Sequence, residues 1–225
     1  MSLEQAEHAL AVARREHERL AEQRAQVKAS IRGIGHAYHC VDLERGVRRN
    51  GRLIASDIQG HIAQIRSIAQ HEGLSQSCLE RIEKAERVVP KMQATIEFVS
   101  GYVKQQVAQL DLTPPVSLAM HAKLIPSYYL DRVAETRTVS DGTSLRARAE
   151  RLRAPLFAPG GALSALSGET QDQLHNEAKR LATVFQRSSS HVEGRNGYLS
   201  LRSHQLRGLD RPRKRECFTA IHNFS

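Results

Sequence analysis

The first residue to suggest chemistry is Glu193, in the run Arg187-Ser188-Ser189-Ser190-His191-Val192-Glu193-Gly194-Arg195-Asn196-Gly197. One carboxylate stands between two guanidinium groups and follows three hydroxyl side chains. Seryl residues ahead of a Val-Glu pair predict a helix start: a hydroxyl caps a free N–H, and an acid in the first turn is favoured by the helix dipole. A single carboxylate so placed is most often a solvated helix residue and does not by itself define a catalytic site.

Other stretches offer donors. His36-Ala37-Tyr38-His39-Cys40 holds two imidazoles and a thiol in five residues, a set that invites zinc. No second Cys or His pair at ligand spacing accompanies it, so a packed or turn-forming segment is the better reading. Arg146, Arg148, Arg151 and Arg153 crowd one basic stretch that can face phosphates or pair with nearby acids. Tyr128 and Tyr129 could stack on bases, but a core or interface role is the stronger expectation.

The basic charge is uneven. Residues 1–112 carry 16 Lys and Arg against 14 Asp and Glu, whereas residues 113–225 carry 17 against 10. The last 39 residues carry 8 against 3. A basic C-terminal section suits contact with a phosphate backbone. It draws attention to Arg202, Arg207, Arg213, Lys214 and Arg215 beside Arg187 and Arg195. Three scattered cysteines, a polar N-terminus and the lack of any long apolar run point to reduced thiols, a cytoplasmic location and no membrane partner. No phosphate-binding loop, dinucleotide fingerprint or nucleophile elbow is present.

The elements that would carry these groups read as all-α. Leu3, Ala6, Leu10, Ala13, His17, Leu20, Arg24, Val27, Ile31 and Ile34 occupy successive a and d heptad positions of one long helix over 3–34, interrupted by His17 and Arg24. That stripe needs a partner, either a second copy or, the preferred reading, a helix of the same chain in an antiparallel hairpin. Gly33 and Gly35 are expected to end it. A second helix is expected from Ser56, with Gln59 at capping-box spacing, to Gly73. A third is expected from Ser75 or Ser77 to Leu110, kinked or broken at Pro90. Helices one and three could then pack along each other, with helix two between. The run Asp111–Pro115 reads as a linker, which divides the chain into a long-helix region, 1–112, and a short-helix region, 113–225. In the second region, two short helices are expected to break at Pro126. A polar loop over 136–143, a basic helix over 144–153 and a loop over 155–161 follow, and a helix starting near Ser167 or Thr170 leads into the Glu193 segment.

The run Phe185-Gln186-Arg187-Ser188-Ser189-Ser190, then Val192–Gly197, Leu199-Ser200-Leu201, His204, Arg207-Gly208-Leu209 and Ile221-His222-Asn223-Phe224, resembles the C-terminal segment of bacterial insertion-sequence transposases of the Asp-Asp-Glu class. It also resembles a related domain family of unknown function. Ile31–Ile34, Ala37-Tyr38-His39, Gly73-Leu74-Ser75 to Val88-Val89-Pro90, and the Leu124-Ile125-Pro126-x-x-Tyr129-Leu130 pattern resemble the helical region that precedes the glutamate in those proteins. The resemblance implies that Glu193 is the third acid of a two-metal Mg²⁺ site for phosphoryl transfer on DNA. It implies phosphate contacts for Arg187 and Arg195, and Asn196 as a group that orients either. In such enzymes the two aspartates lie on an RNase H-like sheet, which has no counterpart here. Asp111, Asp131 and Asp141 fall in helix or loop contexts and do not replace them. The expectation is therefore a truncated or degenerate transposase segment, DNA-associated and inactive alone, with apolar surface left exposed where the sheet would pack. The alternative is a non-catalytic helical module that self-associates as a homodimer through the 3–34 heptads.

Overall fold

The structure is a computed structural model and describes residues 3–185. These residues are helical almost throughout, with no strand; the single β-bridge among them pairs Val41 with Arg48. Helix α1 spans Leu3–Ala37, α2 Gly51–His71 and α3 Gln76–Ala108. Helix α4, Pro114–Ala119, runs through a π-helical turn, Met120–Leu124, into α5, Ile125–Ala134. Helix α6 is Val139–Phe157, and α7 covers 168–185. The described residues lie within one unit, Met1–Gln186.

Helix α1 continues past both glycines that were expected to stop it. Gly33 is a packing position: a Cβ there would stand 2.3 Å from the His61 ring of α2. Arg19, Gln23 and Ser30 of α1 reach α2 or its C-cap residue, and all three are polar. Arg19 and Gln23 reach Glu72 at 2.5 and 2.8 Å, and the Ser30 hydroxyl donates to Gln64 at 2.7 Å. The heptad stripe is thus not the buried stripe. Val27 is half-buried and Ile34 packs against the core, while Leu3, Leu10, Leu20 and Ile31 are 77%, 52%, 45% and 57% exposed. Side-chain hydrogen bonding between α1 and α2 overrode the apolar periodicity.

Asn50, not Ser56, caps α2: its side chain accepts from the Leu53 N–H at 2.8 Å. The Asn50-Gly51 pair therefore begins a helix. Gly51 suits that place because a Cβ would meet the Gln93 carbonyl oxygen of α3 at 2.7 Å. Helix α2 packs against α1 on one side and α3 on the other. Ile54, Ile58 and Ile62 face Val89, Ile96, Val99 and Val103 in a common core. Ser75 precedes α3 as expected, and α3 passes through Pro90 without a break.

Pro114 and Pro115 open α4 at positions that tolerate a missing N–H, so the linker shrinks to Asp111–Thr113. Pro126 likewise sits in the first turn of α5 and breaks nothing; the irregularity lies upstream, in the π-turn. Thr138 caps α6 by accepting from the Asp141 N–H at 3.4 Å, which converts most of the expected 136–143 loop into helix. The same helix carries Pro155 and ends at Phe157. Ser167, an expected start, accepts from the Thr170 N–H at 3.3 Å ahead of α7. The core runs from Ala37, Cys40 and Val41 through the π-turn and α5 to Leu174, Ala178, Leu181, Ala182 and Phe185 of α7.

Candidate functional site

Three groups of polar side chains meet this core. The first is built where the end of α1 turns back over α5. His39 is 5% exposed, Tyr129 is fully buried, and their Nδ1 and hydroxyl lie 2.8 Å apart. Arg137, just after α5, reaches the other ring nitrogen, Nε2, at 3.2 Å. A guanidinium can only donate, so Nε2 accepts and the ring proton sits on Nδ1, directed at the tyrosine oxygen. Burial, then the positive charges of Arg137, His36 and Arg49, hold the imidazole pKa down to about 4, so His39 is neutral at ordinary pH.

A cleft of about 360 Å³ opens beside this group, lined by His36, Leu43, Glu44, Arg137, Asp141, Ser144, Leu145 and Arg148. The 42–47 turn that forms one wall is tied by Asp42, whose side chain accepts from the Glu44 and Arg45 N–H groups at 2.9 and 2.8 Å. Arg148 donates to the Leu43 carbonyl, which fixes that turn to α6.

The second group surrounds Arg48. Its guanidinium donates to His121 Nδ1 at 3.1 Å and lies over the Phe185 ring at 5.0 Å. Burial lowers the Arg48 pKa, and burial with the charges of Arg48 and Lys104 lowers that of His121. The third joins α5 to α7: the Tyr128 hydroxyl is 2.5 Å from His175 Nδ1, and Arg153 and Lys179 flank the Tyr128 ring at 4.8 and 5.4 Å. Both tyrosines are therefore structural among the described residues.

The arginines of α6 divide. Arg153 pairs with Asp131 and Glu150, each at 2.8 Å, and Arg148 holds the Leu43 carbonyl, whereas Arg146 and Arg151 are exposed. Asp131 is thus an ion-pair partner, Asp141 belongs to the capped first turn of α6, and Asp111 lies in a turn with φ of 48°. Glu193, Arg187, Arg195, Asn196, Arg202, Arg207, Arg213, Lys214 and Arg215 all lie outside the described residues. Among the described residues no three His, Cys, Asp or Glu side chains gather as a group that could hold a metal ion. His39 and Cys40 are buried in the packing.

Sequence reasoning missed the His39–Tyr129–Arg137 network. The His39 and Tyr129 partners lie 90 positions apart, so no local pattern joins them.

Residues 120–225 match the model of a family described as a family of unknown function (DUF6399). The matched span starts at the first residue of the π-turn and includes α5, α6, α7 and the Glu193 segment. No curated protein and no solved structure is similar to the chain.

Proposed function

We propose that the chain is a DNA-associated segment related to the later part of an Asp-Asp-Glu transposase. In this reading Glu193 is the third acid of a two-metal phosphoryl-transfer site, and Arg187, Arg195, Arg202, Arg207, Arg213, Lys214 and Arg215 contact the phosphate backbone. Asn196 orients its neighbours by hydrogen bonding. Mg²⁺ would be held by Glu193 together with aspartates from an RNase H-like domain that the described residues do not contain, and the chain alone is inactive. The observation that carries the reading is the concentration of positive charge around that one carboxylate in the last 39 residues, 8 Lys and Arg against 3 acids. The test is binding of a fluorescein-labelled duplex by the full chain and by a variant with those seven basic residues changed to Gln. The unaltered chain binds and the variant loses at least about tenfold, since each lost phosphate contact removes a released counterion. Equal binding by both, or none by either, would contradict the reading.

A second reading, self-association through α1, is favoured by a specific observation. The intramolecular packing of α1 uses one face and leaves Leu3, Leu10, Leu20 and Ile31 exposed on another. Sedimentation should show a concentration-dependent dimer that Leu10→Glu with Leu20→Glu converts to monomer; a monomer at all concentrations would dismiss this reading.

A further inference from the structure

We propose that the cleft between the end of α1, the 42–47 turn and α6 binds a phosphate group, held by Arg137 and Arg148 with Ser144 and His36 beside them. The proposal uses no residue of the Glu193 segment and does not rest on the transposase reading.

Both guanidiniums line the cleft, and each is anchored by a neutral acceptor: Arg137 by His39 Nε2 at 3.2 Å, Arg148 by the Leu43 carbonyl. Neither forms an ion pair with a carboxylate among the described residues. This contrasts with Arg19, Arg49, Arg66, Arg153 and Arg180, whose charges are met by Glu or Asp. A neutral acceptor fixes the direction of a guanidinium without cancelling its charge, and each Arg keeps further N–H donors for a ligand.

Two acids also line the cleft. Asp141 keeps its charge, but its carboxylate is turned to the start of α6, accepting from the Thr138 hydroxyl at 3.0 Å, and it forms no ion pair with either guanidinium. Glu44 is exposed on the turn and reaches neither guanidinium within ion-pair distance. Two oriented guanidiniums, a hydroxyl and an imidazole around about 360 Å³ suit an anion with several acceptor oxygens disposed in three dimensions. A phosphate group meets that description better than a planar carboxylate. His39 acts here as a positioning residue, because it aims Arg137 and touches no ligand.

The experiment follows the thermal midpoint of the full 225-residue chain as inorganic phosphate replaces chloride at constant ionic strength. Binding to the folded chain alone gives a saturable rise of several degrees once phosphate exceeds its dissociation constant by about 100-fold. Acetate at the same ionic strength is expected to give at most a small fraction of it. Arg137→Gln with Arg148→Gln abolishes the rise, whereas Arg146→Gln with Arg151→Gln, on the same helix outside the cleft, leaves it intact. Should the double variant prove unstable through loss of the Leu43 contact, Arg137→Gln alone is read instead, with at least a tenfold loss of phosphate affinity. Absence of a saturable rise, an equal rise with acetate, or an equal rise in the Arg137 and Arg148 variants overturns the proposal. A duplex that displaces phosphate identifies the group as a backbone phosphodiester; a duplex that does not displace it identifies a small phosphate-bearing ligand. Either result upholds phosphate recognition at this cleft.

Discussion

His39 shows how one residue can be both a core side chain and a polar hub. Its imidazole is buried, donates to Tyr129 and accepts from Arg137, and is held neutral with a pKa of about 4. An unfolded histidine titrates at about 6.5, so between those values the unfolded chain binds the extra proton and the folded chain does not. The contribution of His39 to stability is therefore complete above pH 6.5 and is lost as pH falls toward 4. At about 1.4 kcal/mol per unit, the loss is on the order of 3 kcal/mol. Denaturant unfolding at pH 7 and pH 4.5 should show this loss, and His39→Gln should reduce the pH dependence; an unchanged pH dependence in that variant would exclude His39 as its source. Tyr129→Phe leaves the His39 N–H without its acceptor in a dry site, and a loss of about 1–3 kcal/mol at pH 7 is expected in the same assay.

At the scale of elements, two substitutions separate helix propensity from packing. Pro90 is exposed inside a continuous α3 and cannot donate to the carbonyl of Glu86. Alanine is about 3 kcal/mol better than proline in a helix interior. Loosening the unfolded chain returns only about 0.4–1 kcal/mol of that. Pro90→Ala should therefore raise stability by about 2 kcal/mol; a lower unfolding midpoint would mean that α3 needs the proline. Gly51→Ala carries the opposite sign. The added Cβ would stand 2.7 Å from the Gln93 carbonyl oxygen, and forcing α2 off α3 costs about 1–3 kcal/mol, more than the roughly 1 kcal/mol that helix propensity returns. Loss of stability is expected in chemical denaturation, and a neutral result would show that the two helices can separate freely.

The same elements show what could be read from the chain. Ser167 marked a helix start because capping is local chemistry, whereas Ser75 precedes α3 without a side-chain capping bond. The isoleucines of α2 and the valines of α3 marked a core because their spacing follows the helical period. Gly33, Pro126 and Ser56 misled because their surroundings, across the packing for Gly33 and just upstream in the chain for Pro126 and Ser56, overrode their local preference. His61 occupies the space that Gly33 leaves, the π-turn delivers Pro126 into a first turn, and Asn50 caps α2 ahead of Ser56. The cap that converts the 136–143 loop into helix, Thr138 with Asp141, was local and readable.

At the scale of the whole molecule, the all-α architecture followed from composition and period, but the polar networks did not. His39 with Tyr129, and Arg48 with His121, join positions 90 and 73 residues apart, and no local pattern announces such a meeting. The α1 stripe was legible as a stripe, not as a surface, because which face α2 takes depends on Glu72 and Gln64. Large apolar side chains remain exposed elsewhere as well, among them Phe98 at 76% and Leu118 at 68%. No described helix is long and apolar enough to cross a membrane.

The central claim, that the chain engages DNA through the basic residues around Glu193, is tested most directly by the salt dependence of duplex binding. With four to seven phosphates neutralised, the logarithm of the binding constant should fall with the logarithm of salt concentration at a slope of about −4 to −6. The slope should flatten as Arg187, Arg195, Arg202, Arg207, Arg213, Lys214 and Arg215 are replaced by Gln in turn. A slope near zero, or one that these replacements leave unchanged, would contradict the account.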